Sequence, residues 1–220
     1  MFRDMKRGVK TEDEFQSIMQ KAIKFIVRHK ETSIWVGIGV VAAIVFFGYM
    51  TSKSEVQKPE AELMQTQAIG MISQGRFPDA EQVLTELSTK YSNTRPGKIA
   101  LYYLGVIYYY RGQFAEALDY FDKFLGNMKN DYLLTPSAQY AAGCAAEGLK
   151  EYEKALGYYS RIIKDKTSPF YFQSLLAYGR ISGIQGEYEK AQTILKDLVT
   201  QNPPPDITND AKFYIGYFNR

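Results

Sequence analysis

From residue 68 onward a pattern of glycine, aromatic residue and alanine returns at near-constant spacing, and few folds accommodate such a register. Gly75, Phe77 and Ala80 open the series; Gly112, Phe114 and Ala117 follow, then Lys150, Tyr152 and Ala155, then Gly186, Tyr188 and Ala191. The alanines are 37, 38 and 36 residues apart. Twelve residues before the last three alanines stand Gly105, Gly143 and Gly179, with Ala68 at the first; four residues after each alanine come Leu84, Phe121, Tyr159 and Leu195. The spacing predicts an all-α stack of helical hairpins. Glycine with positive φ closes the first helix of each hairpin, the aromatic packs between helices, and the small residues let paired helices approach closely. Helix-interior glycine costs about 0.5 to 1 kcal/mol relative to alanine, so packing must supply the reason for it. One hairpin cannot bury its apolar face, whereas stacked neighbours can, which gives a curved solenoid.

These residues resemble the tetratricopeptide repeat, with Leu104-Gly105, Tyr108, Ala117 and Phe121 in the second unit and Pro203 near the end of the fourth. The units are two to four residues longer than that repeat's nominal length, which implies longer turns, and the first is degenerate. Gly216 continues the register 37 residues after Gly179, so the end of the chain reads as a capping helix. The resemblance covers residues 63–220 and implies a superhelix of about four repeats plus the cap, with first helices lining a concave, polypeptide-binding groove. Carried across residue by residue, the groove positions are Tyr102, Val106, Tyr109 and Tyr110 in the second unit, Tyr140 and Cys144 in the third, and Leu176 and Arg180 in the fourth. Tyrosine offers a large stiff surface with a hydroxyl at its tip, suited to polypeptide without strict sequence demands. Each of these tyrosines either faces the groove or packs between helices, and Tyr108 belongs to the core on register grounds. Family members that clamp a C-terminal carboxylate use Asn and basic residues where this chain has Tyr and Val, so no such clamp is expected.

Residues 32–52 carry no charge, and the run from Ile34 to Met50 is almost wholly apolar. As a helix those residues reach roughly 31 Å, enough for the roughly 30 Å hydrocarbon core of a bilayer. Trp35 and Tyr49 stand near its ends, and no small-residue cleavage site follows it. Residues 1–31 carry eight basic and five acidic side chains and residues 53–220 carry nineteen of each, so the net charge of +3 lies entirely before the span. That asymmetry predicts a single-pass protein with its N-terminus in the cytoplasm and its repeat domain exported. Phe15, Ile18, Met19, Ala22, Ile23 and Ile26 make an amphipathic helix that either lies on the membrane surface or continues the span into water. Residues 53–62 read as a polar linker broken by Pro59.

Catalysis finds little support. The chain has one His and one Cys, which excludes a His- and Cys-rich zinc site, an internal disulfide and a CxxC pair. His29 is expected on the other side of the membrane from the repeats, no phosphate loop of the GxxxxGK[ST] type occurs, and Glu151 and Glu153 belong to a solvated turn. No enzyme activity, cofactor, metal, small-molecule substrate or nucleic acid is expected, and the neutral repeat domain gives nucleic acid no electrostatic purchase.

The layout is similar to that of bacterial inner-membrane proteins of the ancillary SecYEG translocon-subunit family. That resemblance implies a chaperone-like adaptor at the periplasmic face of the inner membrane, its partners being the export channel, periplasmic chaperones, envelope proteins or unfolded clients. The alternative is a structural subunit or assembly scaffold of a larger envelope complex.

Overall fold

The computed structural model describes residues 41–44, 58–128 and 130–219, in two compact units, Met1–Ser54 and Glu55–Arg220. In the first unit, residues 41–44 are helical, with Val41 and Ile44 exposed; the remainder of the expected span and the whole amphipathic segment lie outside the described residues. Among the described residues no helix is long and apolar enough to cross a membrane.

The second unit is all-helical among its described residues, with α1 (Pro59–Ser73), α2 (Phe77–Lys90), α3 (Arg95–Tyr110), α4 (Phe114–Asn127), α5 (Leu134–Gly148), α6 (Tyr152–Ile162), α7 (Tyr171–Ile184), α8 (Tyr188–Thr200) and α9 (Pro205–Tyr217). They form four hairpins and a lone ninth helix. Helix α1 begins four residues before the expected boundary at 63, because Pro59 opens the helix instead of breaking it. A proline at the first helical position gives up an amide that would have no partner anyway.

Each hairpin turn has the same hydrogen bonding. The amide of Arg76 donates to the Met71 carbonyl at 2.9 Å and that of Gly75 to Ile72 at 2.9 Å; Gln113 to Tyr108, Glu151 to Ala146 and Glu187 to Ser182 repeat the longer bond at 2.9 to 3.0 Å. This pairing needs a left-handed residue just past the helix end. Gly75, Gly112 and Gly186 supply it with φ of 74°, 73° and 87°, and Lys150 takes the same place at 62°. The aromatic that follows reaches beyond its own hairpin: Phe77 stacks on Tyr110, with centroids 6.4 Å apart, and the ring of Phe114 lies against Gly148.

The close approach of paired helices has a fixed offset of sixteen residues. Cβ atoms added at Gly105, Gly143 and Gly179 would lie 2.6, 2.5 and 2.8 Å from side-chain atoms of Phe121, Tyr159 and Leu195. At Gly216 a Cβ would meet nothing within 4 Å, since no second helix follows α9 among the described residues.

The apolar interior divides into three clusters. One joins α1 and α2 to Ala100, Leu104 and Ile107 of α3; the middle one runs from Ile99 through α4, α5 and α6 to Ala177 and Ile181 of α7; the third joins Tyr171 and Leu175 of α7 to α8 and α9. Helices α3 and α7 therefore each serve two clusters. Polar ties reinforce the hairpins: Tyr91 donates to Glu60 at 2.9 Å, Tyr108 to Glu81 at 2.8 Å, and Tyr171 to Gln201 at 3.1 Å, while Tyr158 donates to Asp122. Tyr108 is half-buried, its ring stacked on Tyr120 with centroids 5.2 Å apart, so it packs on the edge of the core and not within it as its register position suggested.

Candidate functional site

Helix α3 is apolar nearly all round because it packs against hairpins on two sides. Ile99, Leu104 and Ile107 point into the two clusters it joins. The remaining face repeats at 102, 106, 109 and 110, the i, i+4, i+7 and i+8 spacing that lines up along one side of a helix. On α5 the corresponding face carries Tyr140 and Cys144, one turn apart. Between the two helices opens a cavity of about 410 Å³ lined by Tyr102, Val106, Tyr109, Tyr110, Tyr140 and Cys144, with Phe121 and Ala141 also in its wall. That size falls within the roughly 300 to 1,000 Å³ of sites that hold small ligands or bulky side chains.

Six expected groove positions thus share one cavity; Leu176 and Arg180 do not line it. Leu176 packs half-buried on the third cluster. Arg180 pairs with Glu147 at 2.6 Å, and Tyr159 donates its hydroxyl to the other oxygen of that carboxylate at 2.7 Å, so Glu147 ties α5 to both α6 and α7. The tyrosines differ among themselves. Tyr102 is half-buried, its ring centroid 5.9 Å from that of Phe121 and 5.7 Å from that of Phe124; Tyr140 stacks on Phe170 at 5.5 Å; Tyr109 meets Phe114 edge-on at 5.5 Å; Tyr110 is 74% exposed.

Hydroxyl partners separate two kinds of tyrosine. Tyr91, Tyr108, Tyr158 and Tyr159 each donate to a side chain of another helix, and Tyr171 donates to Gln201 at the end of α8. The hydroxyls of Tyr109 and Tyr110 have no hydrogen-bond partner among the described residues. Burial pushes the phenols of Tyr102, Tyr109 and Tyr140 up from their ordinary value, so all three stay neutral at physiological pH. Burial also pushes up the Cys144 thiol, beside the Tyr159 hydroxyl at 3.3 Å, which keeps it protonated and a poor nucleophile. Among the described residues no group of three or more His, Cys, Asp or Glu side chains is arranged to hold a metal ion.

A second cleft of about 340 Å³ lies between the segments 130–139 and 161–168. Its two carboxylates are already engaged: Asp131 pairs with Arg95 at 2.9 Å and accepts from the amides of Leu133 and Leu134, and Asp165 accepts from the amide and hydroxyl of Thr167. The register extended to α9 finds two further positions, Phe213 and Tyr217, which lie 37 residues after Leu176 and Arg180. Their rings stack with centroids 6.1 Å apart and are 63% and 53% exposed. The glycine spacing that identified the cap could have found them.

Four turn-linked hairpins, a sixteen-residue offset from small residue to large side chain and a face of the first helices bearing a cavity define a tetratricopeptide-like helical repeat protein, a protein-interaction fold. MamA from Desulfovibrio magneticus RS-1 superposes with a TM-score of 0.60 at 19% identity, over 74% of this chain and 85% of that one. YrrB, a tetratricopeptide repeat protein with an unusual peptide-binding site, gives 0.56 at 19% identity over 78% and 82%. A tetratricopeptide repeat protein from Parabacteroides merdae gives 0.57 at 16% over 93% and 74%. By a match over residues 37–212, the chain belongs to the family described as T7SS, ESX-1 secretion system protein EccA1, N-terminal domain. No curated protein sequence matches it.

Proposed function

We propose that the chain is a membrane-anchored, non-enzymatic adaptor or chaperone-like module that holds polypeptide in the groove of its repeat domain at the outer face of the bacterial inner membrane. The observation that carries this reading is the α3/α5 cavity, an aromatic recess whose Tyr109 and Tyr110 hydroxyls have no partner among the described residues while five other tyrosines spend theirs holding helices together. Anchoring and orientation rest on the uncharged run at 32–52 and the basic excess before it. The secretion-system description of the family supports a partner in protein export, the setting that the translocon-subunit resemblance also implies. Crosslinking in native membranes followed by mass spectrometry tests the reading: export or envelope proteins and unfolded clients are expected, and recovery of none refutes it. Protease added to spheroplasts should degrade the repeat domain; protection would refute the orientation.

A second reading, a fixed subunit of an envelope complex, is favoured by the exposed Phe213 and Tyr217 pair, a surface that a permanent partner would cover. A fixed partner co-purifies stoichiometrically through mild detergent, whereas clients are heterogeneous and substoichiometric.

A further inference from the structure

Resting on the groove reading, the chemistry of the wall specifies what kind of polypeptide fits. Of the groove positions on α3, α5 and α7, only Arg180 carries charge, and Glu147 of α5 neutralises it at 2.6 Å. The other two arginines on and beside α3 are also engaged, Arg111 with Glu81 at 2.6 Å and Arg95 with Asp131 at 2.9 Å. The cavity itself is lined only by Tyr, Val, Phe, Ala and Cys. A charged side chain entering it would lose hydration and find no counter-ion. A terminal carboxylate would find no unpaired cation in the wall.

The hydroxyls add a second condition. Tyr109 and Tyr110, adjacent on α3, offer two donor-acceptor groups with no protein partner among the described residues. A helical ligand has its main-chain amides bonded internally and leaves such hydroxyls unused; an extended ligand presents free N–H and C=O groups to them.

We propose that the occupant is an internal, uncharged stretch of extended polypeptide, with a bulky apolar side chain in the α3/α5 cavity and main-chain amides on the Tyr109 and Tyr110 hydroxyls. The same groups make binding independent of ionic strength, because no net charge is neutralised on association.

The test uses the full chain in lipid nanodiscs and fluorescence anisotropy with labelled dodecapeptides, blocked at both ends, carrying one Phe in a Ser, Asn and Gln background. The neutral peptide is expected to bind saturably, with affinity constant to within about twofold between roughly 50 and 500 mM salt. Flanking the Phe with two Lys or two Asp should weaken binding about tenfold or more, and unblocking the C-terminus should change nothing. Tyr109→Phe with Tyr110→Phe, which removes only the two hydroxyls, should weaken the neutral peptide several-fold. A charged peptide that binds as tightly as the neutral one, a steep salt dependence, or indifference to the double Phe variant overturns the proposal and leaves the groove standing as a peptide site. Failure of every peptide to bind overturns the groove reading, and the proposal with it.

Discussion

Gly105 lies so close to Phe121 that an added Cβ would stand 2.6 Å from the phenyl ring. Gly216 holds the same register position with open space around it. Gly105→Ala should therefore destabilise the fold by about 1 to 3 kcal/mol through overpacking. Gly216→Ala should stabilise it by about 0.5 to 1 kcal/mol, since only the unfolded chain's freedom changes. Urea denaturation of the two variants checks both signs, and equal effects would show that the sixteen-residue offset is not a packing rule.

Lys150 adopts φ of 62° in the turn where the other three hairpins place glycine. Left-handed backbone costs an ordinary residue about 1 to 2 kcal/mol, so Lys150→Gly should raise stability by about 0.5 to 1 kcal/mol after the entropy it adds to the unfolded chain. A lower melting temperature for this variant would mean that the lysine side chain supplies a compensating contact.

Ser174 and Ser182 are fully buried on α7 and their hydroxyls have no hydrogen-bond partner among the described residues. At the register position of Ser174 the second and third hairpins and the cap have Ala100, Ala138 and Ala211, all fully buried. Ser174→Ala removes an unsatisfied hydroxyl without leaving a large void and should gain about 1 kcal/mol. Loss of stability, read by denaturant midpoint at unchanged slope, would reveal a hidden partner.

Tyr102 and Tyr110 line one cavity but carry different weight in the fold. Tyr110→Ala, at a side chain that is 74% exposed, should cost less than about 1 kcal/mol. Tyr102→Ala removes a half-buried ring from Phe121 and Phe124 and should cost about 2 kcal/mol. Calorimetry of the single variants separates binding losses from folding losses before either is assigned to the groove.

The hydrogen bond to Glu81, followed by burial, pushes the Tyr108 phenol up to about 12; burial is the first cause of the upward shifts of Tyr140, Tyr158 and Tyr159. A raised folded value stabilises the fold fully below the unfolded phenol's value near 10 and is lost as pH climbs above it. Each tyrosine that ionises only on unfolding lowers stability by about 1.4 kcal/mol per pH unit, so the stability curve should fall steeply between about pH 10 and 12. Tyr159→Phe should make that fall shallower by one tyrosine's share in thermal melts against pH, and an unchanged slope would show that Tyr159 ionises in the folded chain.

Hairpin order and turn position were legible because they depend on residues whose chemistry is unmistakable at fixed spacing: Gly75, Gly112 and Gly186 in left-handed turns, and Gly105, Gly143 and Gly179 under large side chains. The start of α1 was misplaced because Pro59 is compatible both with breaking a helix and with opening one. Six of the positions that the family resemblance places in a groove share one cavity, since helical spacing determines which side chains share a face. Apart from Tyr108, which tyrosines are structural could not be read, because that depends on polar partners on other helices, such as Asp122 under Tyr158 and Glu147 under Tyr159. Arg180 and Glu147, 33 residues apart, form a pair that no local pattern announces.

Because α3 and α7 each belong to two of the three apolar clusters, the repeat domain is mechanically segmented. Tension applied at Lys58 loads α1 and α2 against α3 first, since each hairpin is held only by its neighbours. Stripping those two helices away breaks the first cluster, the Phe77–Tyr110 stack and the ties of Glu81 to Tyr108 and Arg111, and leaves the middle cluster behind the α3/α5 cavity assembled. The end of the domain nearest the chain's N-terminus can yield under load as an extensible tether while the middle cluster holds the Tyr102 and Tyr140 walls of the cavity.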